Sequence, residues 1–306
     1  MSDSSIPSVQ GGDSPKGFAF ALSAYLLWGF LPLFMKAISY MPAPEIIAHR
    51  IVWSVPIAGA VLIALGRTDD LKLAIRSPRI IAMAALTASI ITINWGIYVW
   101  SIGAGRALES ALGYYINPLF SIFLAAVLLR EKLSVQQWVA IGLAACAVII
   151  LSIEAGGMPW VSIGLAVSWG FYAFFRKTLP VGPNQGFLLE VLILSVPAIG
   201  YIIYLQSTGQ GHFGTTRLAD MLWLIACGFV TAVPLMLYAN GAKLLRLSTI
   251  GIMQYIAPTM IFVIAIFVFK EPFTTSTGVA FGFIWAALLI YTWPMVMAAL
   301  KARSAR

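Results

Sequence analysis

Glu45 and His49 stand one helical turn apart, with Arg50 beside them, in an otherwise apolar stretch. A carboxylate and an imidazole at i, i+4 share a helix face, and imidazole changes charge near neutral pH, so Glu45, His49 and Arg50 could relay protons. The same trio also suits a neutralised structural cluster, with Glu45 and Arg50 offsetting each other while His49 packs. The sequence leaves both readings open. A second set is uncharged. Asn94, Tyr98 and Ser101 fall at i, i+4 and i+7, and Ser110, Tyr114, Asn117 and Ser121 form another stripe. Trp169, Tyr172 and Tyr238 follow, then Gln254 and Tyr255 just before Pro258. Such side chains hold small organic molecules by hydrogen bonds and aromatic faces. Asn94, Tyr98, Ser110, Tyr114, Asn117, Trp169, Tyr172, Tyr238, Gln254 and Tyr255 are therefore the candidate binding residues. Taken singly, each also fits a plainer role: Asn and Ser join helices, and Tyr and Trp form interfacial belts.

Other chemistries lack their residues. The 2 histidines, His49 and His212, sit in no metal-ligand spacing. The chain has no Walker loop, no dinucleotide-binding glycine fingerprint and no nucleophile elbow. Neither metal nor cofactor is expected, and no catalytic residue is assigned. Cys146 and Cys227 fall inside apolar runs and imply no disulfide framework.

The elements that carry these residues are helices in a membrane. The chain is 60% hydrophobic and only 10% charged, with mean hydropathy +0.92. Its charges cluster between apolar stretches of about 20 residues, the length that crosses some 30 Å of hydrocarbon. Ten spans are expected, over 17–37, 45–65, 80–101, 108–129, 135–153, 160–176, 187–206, 219–241, 248–269 and 276–298. Without water the backbone must satisfy itself, so long apolar runs mean helices. Polar groups inside them are costly unless they face protein or a cavity, which is why the two stripes are read as cavity lining. Pro118 and Pro258, each mid-span, should loosen or kink their helices.

The chain also repeats itself. At an offset of 141 residues Trp28, Gly29, Phe30, Phe34 and Lys36 meet Trp169, Gly170, Phe171, Phe175 and Lys177, and Ser54-Val55-Pro56 meets Ser195-Val196-Pro197. At 140, Tyr98 meets Tyr238, Arg106 meets Arg246, Tyr115-Ile116-Asn117-Pro118 meets Tyr255-Ile256-Ala257-Pro258, and Glu131 meets Glu271. The expected organisation is a disordered N-terminus (1–15), a first repeat (16–156), a second (157–299) and a tail (300–306). Five spans per repeat make the halves antiparallel, the inverted architecture of alternating-access carriers. Glu131 and Glu271, each beside a basic residue at a helix junction, are read as fixing turns. Glu109 beside Arg106 suits an ion pair at a mouth, and Glu190 is expected to face headgroups.

Placing the N-terminus in the cytoplasm puts fourteen of the nineteen Lys and Arg residues on cytoplasmic segments. The exceptions are Lys36, Arg50, Arg106, Arg217 and Lys270. By the positive-inside rule both termini are cytoplasmic. The net charge of +8 is spread over loops and a tail, so no nucleic-acid partner is implied. The expected partners are the bilayer and a small-molecule substrate; the oligomeric state stays open.

Trp28-Gly29-Phe30 with Lys36, then Glu45-x-x-Ala48-His49-Arg50-x-x-Trp53-Ser54, resemble the opening of the RarD proteins. These belong to the EamA branch of the drug/metabolite transporter superfamily. The resemblance continues through Asn94-Trp95-x-x-Tyr98-x-Trp100 and Leu108–Pro118, and returns at Arg246–Gly251, Gln254–Thr259 and Lys270-Glu271. Tyr115 stands where Phe is expected. The resemblance implies an all-α inner-membrane permease of ten helices in two inverted five-helix repeats. Relatives export amino acids and other metabolites, and RarD carries a chloramphenicol-related name. The alternative class, a membrane-embedded enzyme or sensor, would need a convergent catalytic group, for which only the Glu45–His49 pair is a candidate, or a large soluble output domain, for which no segment is long enough. The topology is open to test. In a background without Cys146 and Cys227, single cysteines at Lys72 and Arg303 should resist an impermeant thiol reagent added outside intact cells; strong labelling at either overturns it.

Overall fold

A computed structural model describes residues 14–304, apart from 67, 69, 70, 72, 73, 131, 155, 215, 216, 243 and 246. The expectations placed on residues 1–13, Lys72, Glu131, Lys243, Arg246 and residues 305–306 therefore fall outside the described residues.

The first half holds α1 (Pro15–Ala37), α2 (Ala43–Ala64), α3 (Pro78–Gly103), α4 (Ala107–Leu129) and α5 (Val135–Glu154). The second holds α6 (Trp160–Thr178), α7 (Pro183–Ser207), α8 (Leu218–Ala242), α9 (Leu247–Met253), α10 (Ile256–Val263) and α11 (Thr275–Ser304), with a π-helical turn Ile264–Val268 after α10. No strand occurs among the described residues. Among the described residues eight helices, α1 to α5, α7, α8 and α11, are long and apolar enough to cross a membrane. α6 is less apolar and carries Arg176 in its last turn.

The helix starts follow the local chemistry. Ser14 accepts from Gly17 N–H at 2.9 Å, and proline occupies the first turn of α1, α2, α3 and α7, where its missing N–H costs nothing. Thus α1 begins at Pro15, just inside the segment expected to be disordered. Before α5, Ser134 and Gln137 form the capping box read from sequence, at 2.8 and 3.3 Å. Arg130 and Lys270, one repeat apart, both take the left-handed conformation, with φ of 55° and 56°. Non-glycine residues rarely sit there, so the shared turn is a structural echo of the sequence repeat.

The two repeat-related prolines behave differently. Proline cannot donate to the carbonyl four residues back. At Pro258 this interrupts the ninth span at Gln254-Tyr255, where Tyr255 N–H turns to Ile252 O instead. α4 runs through Pro118 without interruption.

Contacts join the halves. α4 and α3 pack on α6, as α10 and α8 pack on α1; α2 packs on α8, as α7 packs on α3. Exchanging each element with its counterpart one repeat away maps this set onto itself, with α2–α7, α4–α10 and α5–α11 as the self-paired contacts. The α2–α8 seam is close. Ser54 Oγ donates to Gly228 O at 3.3 Å, and a Cβ added at Gly228 would collide with the Trp53 backbone. Small residues let membrane helices approach in this way. Gly228→Ala should force α2 and α8 apart and cost about 1–3 kcal/mol. Thermal unfolding of the detergent-solubilised protein checks this; an unchanged midpoint would show that the seam yields freely.

Candidate functional site

Between the halves lies a cavity of about 980 Å³, including its open side. α3 contributes one face, Ile91, Asn94, Trp95 and Tyr98, at the i, i+3, i+4, i+7 spacing of a helical stripe. α4 adds Tyr114 and Asn117, and α6 adds Trp169. Opposite stand Tyr25, Trp28 and Leu31 of α1, Thr231, Leu235 and Tyr238 of α8, and Gln254, Ala257, Pro258 and Ile261 at the broken ninth span. Among the described residues, Arg50 of α2 is the sole charged side chain in this lining.

The walls are aromatic and mutually braced. Tyr25, Trp28 and Tyr238 form a triangle with centroid separations of 5.6 to 5.9 Å. Tyr114 meets Tyr98 at 5.8 Å and Trp169 at 6.4 Å. Asn94 ties α3 to α6 by donating to Leu165 O at 3.2 Å and Ser168 Oγ at 2.9 Å. Other polar atoms of the lining are buried without a partner: Arg50 Nη1, Tyr98 OH and Asn117 Oδ1. In low dielectric an unpaired polar atom is costly, so these three are the open hydrogen-bonding positions of the wall among the described residues.

Seven of the ten candidate binding residues line the cavity: Asn94, Tyr98, Tyr114, Asn117, Trp169, Tyr238 and Gln254. Three do not. Ser110 is locked against Ser101 at 2.6 Å in the α3–α4 contact. Tyr172 turns to the Glu190 carboxylate at 3.2 Å. Tyr255 stacks on Tyr115, whose hydroxyl bonds Thr259 at 2.6 Å. Tyr25, Trp28, Trp95 and Thr231 line the cavity without having been among the candidates. Trp95 had a signal, being three residues before Tyr98 on the same face; Thr231 had none, since its place depends on α8 meeting α2.

The geometry turns Glu45, His49 and Arg50 to three different sets of partners. Glu45 pairs with His212, not His49. Its carboxylate accepts from His212 N–H at 2.7 Å and contacts His212 Nδ1 at 2.7 Å. His49 Nδ1 instead accepts from Trp53 Nε1 at 3.2 Å, and its ring stacks on Phe213 at 5.0 Å. Arg50 points elsewhere again, with Nε donating to Thr231 Oγ1 at 2.9 Å and the guanidinium over Trp95 at 5.0 Å. Successive helical residues turn by about 100°, so adjacency in sequence separates these faces.

The remaining carboxylates hold elements together. Glu271 accepts from Ala107 N–H at 2.7 Å and Leu108 N–H at 2.8 Å, capping α4 from the second half. Glu109 pairs with Arg106 at 2.8 Å. Glu190 does not face headgroups: it is buried against Thr87 at 2.7 Å and Arg176 at 3.5 Å. No cluster of metal-binding side chains occurs among the described residues. Contacts of Tyr40 with Asp220, Glu45 with His212 and Glu271 with α4 gather the α1–α2, α7–α8, α3–α4 and α10–α11 loops at one end of the bundle. Between the cavity and that end lies buried apolar packing that includes Met35, Ile38, Met41, Ile46, Ile102 and Leu112.

Comparison with known proteins now decides the family. Residues 15–153 match the EamA-like transporter family. Protein RarD of Streptomyces exfoliatus is 38% identical over 94% of this chain and 91% of its own length. The chain belongs to the EamA-like transporter family. It is a homologue of the RarD proteins and so falls in the drug/metabolite transporter superfamily. A protein of Vibrio cholerae named an uncharacterized transporter is 39% identical over 96% of this chain and 97% of its own. A solved crystal structure, 18% identical, shares the fold with a TM-score of 0.58 over 90% of this chain and 96% of its own.

The α7–α8 loop is held to α2 by the Glu45–His212 tie. Glu45→Gln removes a bond of the charged kind, worth about 1.5–3 kcal/mol. Amide exchange across residues 208–214 should quicken in that variant; unchanged protection would show that the loop is held by something else.

Proposed function

We propose that this EamA-family protein is a secondary carrier that exports small organic solutes across the bacterial cytoplasmic membrane by alternating access around the central cavity. The carrying observation is the cavity itself, walled by both halves and crossed by a span that breaks at Gln254-Tyr255. Carriers built from repeats place substrate at the repeat interface, beside discontinuous helices, for the same reason. Irregular backbone survives in a membrane only where protein or a cavity satisfies it.

The exchange symmetry of the helix contacts supports ten crossings in two inverted repeats, α1–α5 and α6–α11, with α9 and α10 as one crossing. The positive-inside count then puts both termini in the cytoplasm. The loops gathered at the Glu45–His212 end face outward, and the apolar packing there closes the cavity to the outside. This is the inward-facing, loading state of an exporter.

Reconstitution tests the reading. Chloramphenicol belongs among the solutes because a Pseudomonas aeruginosa relative, 28% identical over 92% of this chain, is named chloramphenicol-sensitive protein RarD. Proteoliposomes should take up chloramphenicol or an aromatic amino acid, assayed with and without a pH gradient. Trp169→Ala and Asn117→Leu should each cut flux at least about tenfold, the equivalent of ~1.4 kcal/mol of binding. Full flux in both variants would remove the cavity from the transport path.

A further inference from the structure

Every carboxylate among the described residues that is held inside or at the ends of the bundle is already committed. Glu45 is on His212, Glu109 on Arg106, Glu190 on Arg176, and Asp220 accepts from Tyr40. Glu271 caps α4, and Glu154 accepts from Thr274. Arg50 has none of them. It is 3% exposed, yet among the described residues its fixed contacts are one neutral hydroxyl, Thr231, and the face of Trp95. Its Nη1 has no partner. A buried cation without a counter-charge is strongly unfavourable, and removing one partner of a buried pair exposes that penalty in full. Among the described residues the cavity lining holds no other charge of either sign, so none of them supplies the balancing anion, and a bound solute can.

We propose that the central cavity binds an organic carboxylate with an aromatic body, and that Arg50 is the residue that anchors the carboxylate. This rests on the carrier reading above and names its substrate class. Two features select the class. The guanidinium presents a planar fork that matches a carboxylate, and Thr231 on Nε with Trp95 on its face holds that fork in one orientation toward the cavity. The unpartnered Tyr98 hydroxyl is a second donor on the same lining. Around them, Trp28, Trp169, Tyr114 and Tyr238 offer flat apolar walls that a bare inorganic anion would leave unused. A carboxylate at Arg50 neutralises the buried charge while its ring stacks between the halves.

Binding by the detergent-solubilised full chain at neutral pH tests this with four probes: 3-phenylpropionate, the isosteric 3-phenylpropionamide, 3-phenylpropylammonium and inorganic phosphate. In the wild-type protein the carboxylate should bind at least about tenfold more tightly than the amide, the scale of a hydrogen bond to a charged group. The ammonium should bind more weakly still, and phosphate should not compete. Arg50→Gln should abolish the preference for acid over amide, and Arg50→Lys should retain part of it. Equal affinity for acid and amide in the wild type overturns the proposal without reliance on any variant. So does binding of none of the probes, competition by phosphate at equal concentration, or a monodisperse Arg50→Gln protein that keeps the preference. Failure here is distinguishable from failure of the carrier reading. Carboxylate binding with no flux in proteoliposomes sinks the carrier and leaves the anchor. Flux of a neutral solute through a protein indifferent to acid and amide does the reverse.

Discussion

A polar atom in hydrocarbon has no water to fall back on, and the arrangement of this protein follows from where each such atom finds a partner. The carboxylates are drawn to helix ends or to cations: Glu271 to the free N–H groups of α4, Glu190 to Arg176 and Thr87. Serines and threonines return their hydroxyls to the preceding turn, as Ser54 does to Arg50 O at 2.6 Å and Thr231 to Cys227 O at 2.7 Å. Among the described residues, three of the atoms that find no such partner, Arg50 Nη1, Tyr98 OH and Asn117 Oδ1, lie on the cavity wall. Site and scaffold are thus two outcomes of one constraint.

The same constraint explains how much was legible in the sequence. Helices were visible as apolar runs between charge clusters, and α4 and α8 differ from their expected spans by only a residue at an end. α7 starts earlier than expected, at Pro183, because Asn184 and Gln185 are polar yet buried. Helical spacing also told which side chains share a face, and so brought Asn94, Tyr98, Tyr114 and Asn117 together. Spacing does not say which neighbour covers the face. Ser110 lies on the Tyr114 stripe, but α3 arrives with Ser101 and removes it. His212 was invisible as a partner of Glu45, because a loop 167 residues away delivers it.

The two prolines do not act alike. Pro118 and Pro258 occupy matched positions and deny the same kind of hydrogen bond, and both helices pack on matched neighbours and border the cavity. α4 nevertheless stays whole, whereas the ninth span is interrupted at Gln254-Tyr255. A repeat in sequence therefore sets the opportunity for a break without dictating that both copies take it.

α10 is bounded by two irregularities: the tightened turn at Gln254-Tyr255 and the π turn Ile264–Val268, where Phe269 N–H reaches back to Ile264 O. Between these joints lie eight residues, roughly 12 Å of helix at about 1.5 Å each. Neither joint keeps the regular α-helical hydrogen-bond pattern, and the loop beyond them at Glu271 is fastened to α4. One wall of the chamber, bearing Ala257, Pro258 and Ile261, therefore sits on a short segment set off from its own span at both ends, while the facing stripe on α3 belongs to an unbroken helix that Asn94 ties to α6. The chamber is built asymmetrically, with a continuous helix on one side and a jointed one on the other.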